Sequence, residues 1–195
     1  MAQDLAQDQT QERLAGPPDD EALARQAGSN RAAFAELYQR YLDCVYRYHL
    51  ARTGCSADAD DLTAQTFLAA LESVRDYQGR GSFAAWLFGI ASHKAVDFFR
   101  QGRHELPLES AESLPTAAVS PEERLEERLH FRRVAQALHA LPQDRAEAIV
   151  LRIYAGLSAA EAAQVMHRSE AAVKMLVHRG LGDLRQRLLV PGEEA

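Results

Sequence analysis

The chain has 195 residues, of which 47% are hydrophobic and 26% charged, with a formal net charge of −6. These figures suit a soluble, folded protein of one or two small domains. Two cysteines, Cys44 and Cys55, are too few for a disulfide framework or a four-ligand metal site, so a reducing, cytoplasmic setting is expected.

Residues 1–18 are rich in Gln, Asp and Ala and end in Gly16-Pro17-Pro18, which reads as a disordered or loosely helical tail rather than a signal peptide. A short helix is expected from Asp19-Asp20-Glu21, whose acids favour a helix N-terminus. Asn30 can cap a second helix of roughly 20 residues, with Phe34, Leu37, Tyr38, Tyr41, Val45 and Tyr48 at helical spacing and Gly54 at its end. That aromatic stripe reads as core.

A third helix is expected from about Asp58 to Tyr77, with Phe67, Leu68, Leu71 and Val74 as its buried side. Asp58, Asp60 and Asp61 crowd its first turn. No further ligand set stands out beside them, so a dipole-favoured solvated face and a docking surface for a basic partner both fit better than a metal site. After the loop Gly79-Arg80-Gly81, Ser82 can cap a fourth helix that Gly102 is placed to end. It carries Phe83, Trp86, Leu87, Ile90 and Ala91, then His93, Lys94, Asp97 and Arg100. Aromatics interleaved with cations suit melted nucleic acid, and equally suit a core helix with a basic edge. The apolar window Phe83–Ala91 is far too short to span a bilayer, so no membrane insertion is expected.

Residues 103–120, with Pro107, Pro115 and clustered Glu and Ser, read as an acidic, flexible linker between domains at 19–102 and 121–190. Ser120-Pro121-Glu122-Glu123 announces a helix running to Leu141. Asp144 can cap the next one, with Ile149, Val150 and Ile153 inward and Gly156 at its end. Ser158 and Glu161 form a capping box for a short helix with Ala162, Val165 and Met166 on its apolar side. After a polar break at His167-Arg168, Ser169 can cap a last helix reaching about Leu188. Val173, Leu176, Val177 and Leu184 share one face of it, opposite Ala171, Lys174, Met175, His178 and Arg179. Two short helices in this pattern read as a helix-turn-helix or as a plain helical hairpin with a solvated basic side. Charge is unevenly placed: residues 128–190 hold ten Lys/Arg against five Asp/Glu, whereas 101–127 hold two against seven. A basic C-terminal block fits DNA contact, and the acidic stretch beside it suits keeping that block off non-specific DNA. The expected fold is all-α, in two small helical domains.

Four segments in this order resemble the extracytoplasmic-function sigma factors of bacterial RNA polymerase. They are Phe34-Ala35-Glu36-Leu37-Tyr38; Asp58 to Leu62 with Thr66-Phe67; Gly81 to Leu87 with Ile90-Ala91, Asp97 and Arg100; and Leu138 to Arg187. The resemblance implies a first domain that docks on the β′ clamp helices through Asp58, Asp60, Asp61, Gln65 and Phe67. The same domain would open and read the −10 element with Arg80, Ser82, Trp86, His93, Lys94, Asp97 and Arg100. It implies a second domain that docks on the β flap and reads the −35 element with Arg168, Ser169, Lys174, Met175, His178 and Arg179. Promoter DNA and polymerase core are the implied partners, and an anti-sigma factor is a further one that many members have. No Walker-type loop, nucleophile–base set or metal motif is present, so neither a cofactor nor an enzyme is expected. A stand-alone helix-turn-helix regulator, or a polymerase-binding protein that does not initiate, are the alternatives.

The chain departs from the family pattern in places. Ala64-Gln65 stands where Gln-Glu is common, and His93 where Asn is usual. Met175 offers DNA only apolar contact. Gly180 and Gly182 each cost a helix about 1 kcal/mol relative to Ala, which predicts bending or fraying beyond Arg179.

Overall fold

A computed structural model describes residues 20–79, 81–101 and 133–189. The N-terminal tail, the linker, Gly102 and the start of the helix expected from Pro121 lie outside the described residues. All regular structure among the described residues is helical.

The first domain holds α1 (Asp20–Ala27), α2 (Arg31–Thr53), α3 (Ser56–Ser73, followed by a single 3₁₀ turn at Val74–Asp76) and α4 (Phe83–Arg100). Local chemistry sets most of the ends. Asn30 Oδ1 accepts from the Ala32 amide at 3.0 Å, and Gly54, at φ +68°, closes α2 by donating to Leu50. Ser82 Oγ accepts from the Ala85 amide at 3.1 Å to start α4. Leu37, Tyr41, Val45 and Tyr48 of α2 all face the core, as their spacing predicts, while Tyr38 turns out and meets Phe67 edge-on at 4.6 Å. Asp20 is buried because it accepts from the Tyr41 hydroxyl at 2.6 Å and pairs with Arg40, which ties α1 to α2.

In α3 the sequence reading is corrected twice. The helix starts at Ser56, ahead of Asp58, so only Asp58 occupies its first turn. Its inward stripe is Ala59, Leu62, Thr66, Phe67, Ala70 and then Val74. Leu68 and Leu71 stand out in solvent at 58% and 47% exposure. The buried threonine is tolerated because its hydroxyl bonds the carbonyl four residues back, at 2.7 Å, and His49 Nε2 at 2.9 Å.

The second domain holds α5 (residues 133–139), α6 (Gln143–Ile149), α7 (Ala159–Met166) and α8 (Glu170–Leu189). Pro142, not Asp144, takes the N-cap position of α6, and Asp144 sits in the first turn. The helix then widens into a π turn at Val150–Tyr154, where the Ala155 amide reaches back five residues to Val150 at 3.0 Å. This extra residue per turn buries Ile149, Val150 and Leu151 together and rotates Ile153 outward to 50% exposure, against its expected inward place. The capping box of α7 has both bonds, Ser158 amide to Glu161 at 2.8 Å and Glu161 amide to Ser158 Oγ at 3.2 Å. Of the expected apolar side of α7, Ala162 is buried, whereas Val165 and Met166 are half-buried.

The last helix runs on through both glycines, and α8 continues to Leu189. Gly180 is buried, and a Cβ there would lie 2.7 Å from Ile149 Cδ1 and 3.3 Å from Arg145 Cβ. Its missing side chain lets α8 close onto α6.

The two domains pack on one another: α7 lies against α4, and the π turn lies against α2. At the centre of the contact is Glu147 of α6, buried among residues of the first domain. Its Oε1 accepts from Tyr48 Oη at 2.8 Å and from Ser92 Oγ at 3.0 Å. Arg52 Nε lies 3.4 Å from Oε2, an ion pair rather than an aligned hydrogen bond. The Arg52 guanidinium also sits 5.2 Å over the Phe99 ring.

Candidate functional site

Three exposed faces carry the residues singled out by sequence. The first is on α8. Its buried side, Val173, Gly180 and Leu184, fixes the helix rotation, and this leaves Lys174, Met175, His178 and Arg179 all exposed on the other side. Ser169 Oγ accepts from the Ala172 amide at 3.2 Å, so it caps α8 as expected and stands at the same end. Lys174 pairs with Glu170 one turn earlier at 2.6 Å, and Arg168 with Asp144 of α6 at 2.8 Å. Both pairs are solvent-exposed and therefore weak, easily exchanged for a phosphate. His167 makes the turn between α7 and α8 in the left-handed region, at φ +51°.

The second face runs along α4. Trp86, His93, Asp97 and Arg100 are spaced seven, four and three residues apart and so share one side of the helix, with Lys94 beside them. Trp86 is half-buried, with its ring held against Tyr77 and Phe83, each at 5.4 Å between centroids. His93, Asp97 and Arg100 are exposed, and Asp97 and Arg100 form a loose pair at 3.8 Å. Ser82 is engaged in capping the same helix. Arg80 lies outside the described residues.

The third face, on α3, departs from the expected set. Asp61 and Gln65 are exposed and align with Leu68 and Glu72. Asp60 points elsewhere, close enough to Tyr46 that its charge, after burial, helps raise that phenol. Asp58 is half-buried. Phe67 is 6% exposed and packs under Tyr38, so it shapes the surface from beneath instead of offering a contact. The apolar groups on this surface are Leu68 and Leu71. Leu68 sits one helical repeat, seven residues, after Asp61, and this spacing was the signal that could have identified it.

The buried histidine near these faces is structural. Burial first, then the Arg52 charge, depress His49 to a pKa of about 3, so it is neutral while bonded to Thr66. Among the described residues, no group of three His, Cys, Asp or Glu is placed to hold a metal ion. Among those residues, too, no helix is long and apolar enough to cross a membrane.

Comparison with known proteins shows the family of the chain that carries these faces. Residues 37–105 match the sigma-70 region 2 family model, and residues 131–184 match the sigma-70 region 4 model. The ECF RNA polymerase sigma factor SigD of Mycobacterium tuberculosis is 32% identical over 184 residues, covering 90% of this chain and 86% of SigD. The chain belongs to the extracytoplasmic-function (ECF) sigma factor family. BldN of Streptomyces coelicolor, also an ECF sigma factor, is 38% identical over 172 residues, 86% of this chain; the match spans 65% of BldN's own length. In three dimensions this sigma factor is similar to CnrH, solved in complex with the cytosolic domain of CnrY. The TM-score is 0.72 at 29% identity, over 89% of this chain and 99% of that one. The α3 and α4 faces lie within the region 2 match. The α7–α8 helix-turn-helix lies within the region 4 match, up to residue 184. Sigma factors are not an enzyme family.

Proposed function

We propose that this ECF sigma factor binds core RNA polymerase, reads −10 and −35 elements, and directs transcription initiation from promoters that carry both. The observation that carries the DNA-reading half is α8. Its packed side is occupied by Gly180 against Ile149, and this commits Lys174, Met175, His178 and Arg179 to the outer side, where a helix can enter a major groove.

Each part has a physical role. Arg168, Lys174 and Arg179 supply phosphate contacts that are salt-dependent and largely blind to sequence. Specificity comes from the few side chains that reach base edges, each worth about 1–3 kcal/mol when bidentate, with Met175 suited to a thymine methyl. On α4, the Trp86 ring and the His93, Lys94 and Arg100 side take up unstacked bases of the −10 element, at an unpairing cost of a few kcal/mol. His93 can donate or accept one bond per nitrogen and so reads bases differently from the usual Asn. Asp61, Gln65, Leu68 and Leu71 form the surface for the polymerase clamp. The protein acts in the cytoplasm with polymerase. An anti-sigma factor is a further partner; CnrH, to which the chain is similar, was solved in complex with the cytosolic domain of CnrY.

The decisive experiment is run-off transcription from a randomised promoter library, using bacterial core polymerase with and without this protein. Transcripts enriched for paired −35 and −10 motifs only in its presence establish the function and give the consensus. Core binding without any protein-dependent transcript favours a non-initiating polymerase-binding protein. DNA binding without core binding favours a stand-alone helix-turn-helix regulator.

A further inference from the structure

Beside Arg52 lies a cleft of about 190 Å³, partly open to solvent. Arg52 of α2 and Phe99 of α4 line it from the first domain. Leu138 and His139 of α5, Leu141 in the turn that follows, and Ala146 of α6 line it from the second. Most of this wall is apolar. Its two rings meet edge-on, Phe99 against His139 at 5.8 Å between centroids. The permanently charged group in the lining is Arg52, which is only 8% exposed.

The residues around Arg52 leave its donors under-used. Glu147, which is not among the lining residues, accepts from Tyr48 and Ser92 at Oε1. Its Oε2 stands 3.4 Å from Arg52 Nε, and among the described residues that nitrogen makes no hydrogen bond. The guanidinium rests over Phe99 at 5.2 Å, which orients its plane. A guanidinium carries five N–H donors in a rigid fork, and buried donors are nearly always bonded. Water would serve the fork but not the walls, since Phe99, Leu138, Leu141 and Ala146 offer it no partner. An apolar cavity of about 150 Å³ is large enough for benzene. An apolar cleft at a domain seam, with a polar group converging on it, is the usual form of a small-molecule site.

We propose that this cleft binds a small monocarboxylate with a compact apolar body, aromatic or branched aliphatic. The carboxylate takes the terminal N–H groups of Arg52, and the body fills the space between Phe99 and the Leu138, Leu141 and Ala146 side chains. Arg52 and Glu147 together are neutral, so the fork and not long-range attraction holds the ligand, through paired N–H···O bonds. Two consequences follow from that. Binding is only weakly sensitive to salt, unlike anion binding on the exposed cations of α8. Inorganic phosphate is a poor occupant, because its charged oxygens on every side would face the apolar walls. The site does not depend on the polymerase and promoter assignments made above.

The test is an NMR titration of the isotope-labelled full chain with sodium benzoate, against benzyl alcohol and inorganic phosphate at fixed ionic strength. Benzoate is expected to bind with a dissociation constant at or below about 1 mM. It should shift the Arg52 side-chain Nε–H signal, and its ring protons should show NOEs to the methyl groups of Leu138 and Leu141. Benzyl alcohol, with the same body and no charge, is expected to bind about tenfold more weakly or worse, and phosphate to leave these signals in place. Arg52→Lys keeps a cation beside Glu147 but lacks the fork, and should weaken benzoate about tenfold. Ala146→Val adds two methyl groups to the cleft wall and should weaken benzoate and benzyl alcohol alike. It keeps Arg52 intact, and so decides the matter if Arg52→Lys folds poorly. No change at the Arg52 and leucine signals at ten times the expected dissociation constant overturns the site. So do shifts that gather on the α8 cations and fade with salt, or equal affinity for benzoate and benzyl alcohol. Benzoate affinity unchanged in both variants overturns it as well.

Discussion

Tyr48 and Glu147 are 99 residues apart in the chain, on different domains, and share a buried hydrogen bond of 2.8 Å. Burial, and then the Glu147 charge, hold the Tyr48 phenol well above its ordinary range. The bond therefore exists only with a neutral phenol. Folding favours that neutral form, so its contribution to stability is fully present below the unfolded phenol pKa of about 10 and is lost as pH rises beyond it. Urea unfolding of the parent chain should lose stability between pH 9 and 11, and Tyr48→Phe should lose less over the same range. Equal losses in both would mean that Tyr48 is not part of the alkaline sensitivity.

His49 makes the opposite prediction at acid pH. Its folded pKa of about 3 lies below the ordinary histidine value of about 6.5, so folding favours the uncharged ring. That stability is complete above pH 6.5 and drains away as pH falls toward 3. At pH 5 the loss from this one group is about 2 kcal/mol, at 1.36 kcal/mol per pH unit. His49→Gln keeps an amide able to meet Thr66 but cannot titrate. Comparing urea midpoints at pH 7 and pH 5 should show a smaller acid loss in His49→Gln than in the parent.

What the sequence revealed and what it hid follow from the range of the interactions. The caps at Asn30, Ser82, Ser158 and Ser169 were legible because each closes over two or three residues. The inner face of α3 was not, because Leu68 and Leu71 look like core, whereas the real stripe uses Ala and a Thr whose hydroxyl is satisfied locally. Ile153 was misplaced because a 3.6-residue period does not anticipate a π turn. Gly180 read as a weakness in a helix, and only the neighbouring α6 reveals it as a point of close approach. Glu147 had no local signature at all, since its partners lie in the other domain.

The two glycines of α8 should therefore respond in opposite directions. Gly182→Ala meets nothing within 4 Å and should stabilise the chain by about 0.5–1 kcal/mol through helix propensity. Gly180→Ala would push its Cβ to 2.7 Å from Ile149 Cδ1, in a packed core, and should destabilise by about 1–3 kcal/mol despite the same propensity gain. Thermal unfolding of the two variants is the check. Stabilisation by Gly180→Ala would mean that α6 and α8 do not close as tightly as described.

Phe67 and Leu68 are adjacent but should separate folding from docking. Phe67 is 6% exposed, so Phe67→Ala should cost about 3–5 kcal/mol of stability. Leu68 is 58% exposed, and Leu68→Glu should change stability by no more than about 0.5 kcal/mol while weakening core-polymerase binding. Asp61→Arg, one helical repeat earlier on the same face, should weaken it too. Pull-down titration against core polymerase, paired with urea unfolding, reads both quantities. Unchanged polymerase affinity in Leu68→Glu and Asp61→Arg would move the docking surface off this side of α3.

The cationic side of α8 makes a prediction in salt. Lys174 is held by Glu170 at 2.6 Å across an exposed helix turn, a pairing too weak to compete with a phosphate. If Lys174 and Arg179 each neutralise one phosphate, each contributes about 0.9 to the slope of log affinity against log salt on duplex DNA. The double variant Lys174→Ala with Arg179→Ala should then bind a −35 duplex more weakly and with a slope shallower by about 2. Core-polymerase affinity should stay unchanged, because neither side chain lies on the α3 face. Affinity and slope are measured together by fluorescence anisotropy from low to moderate salt. A fall in affinity with the slope unaltered would assign these two residues to base edges instead of the backbone. A parallel fall in polymerase affinity would contradict the separation of α8 from the docking surface.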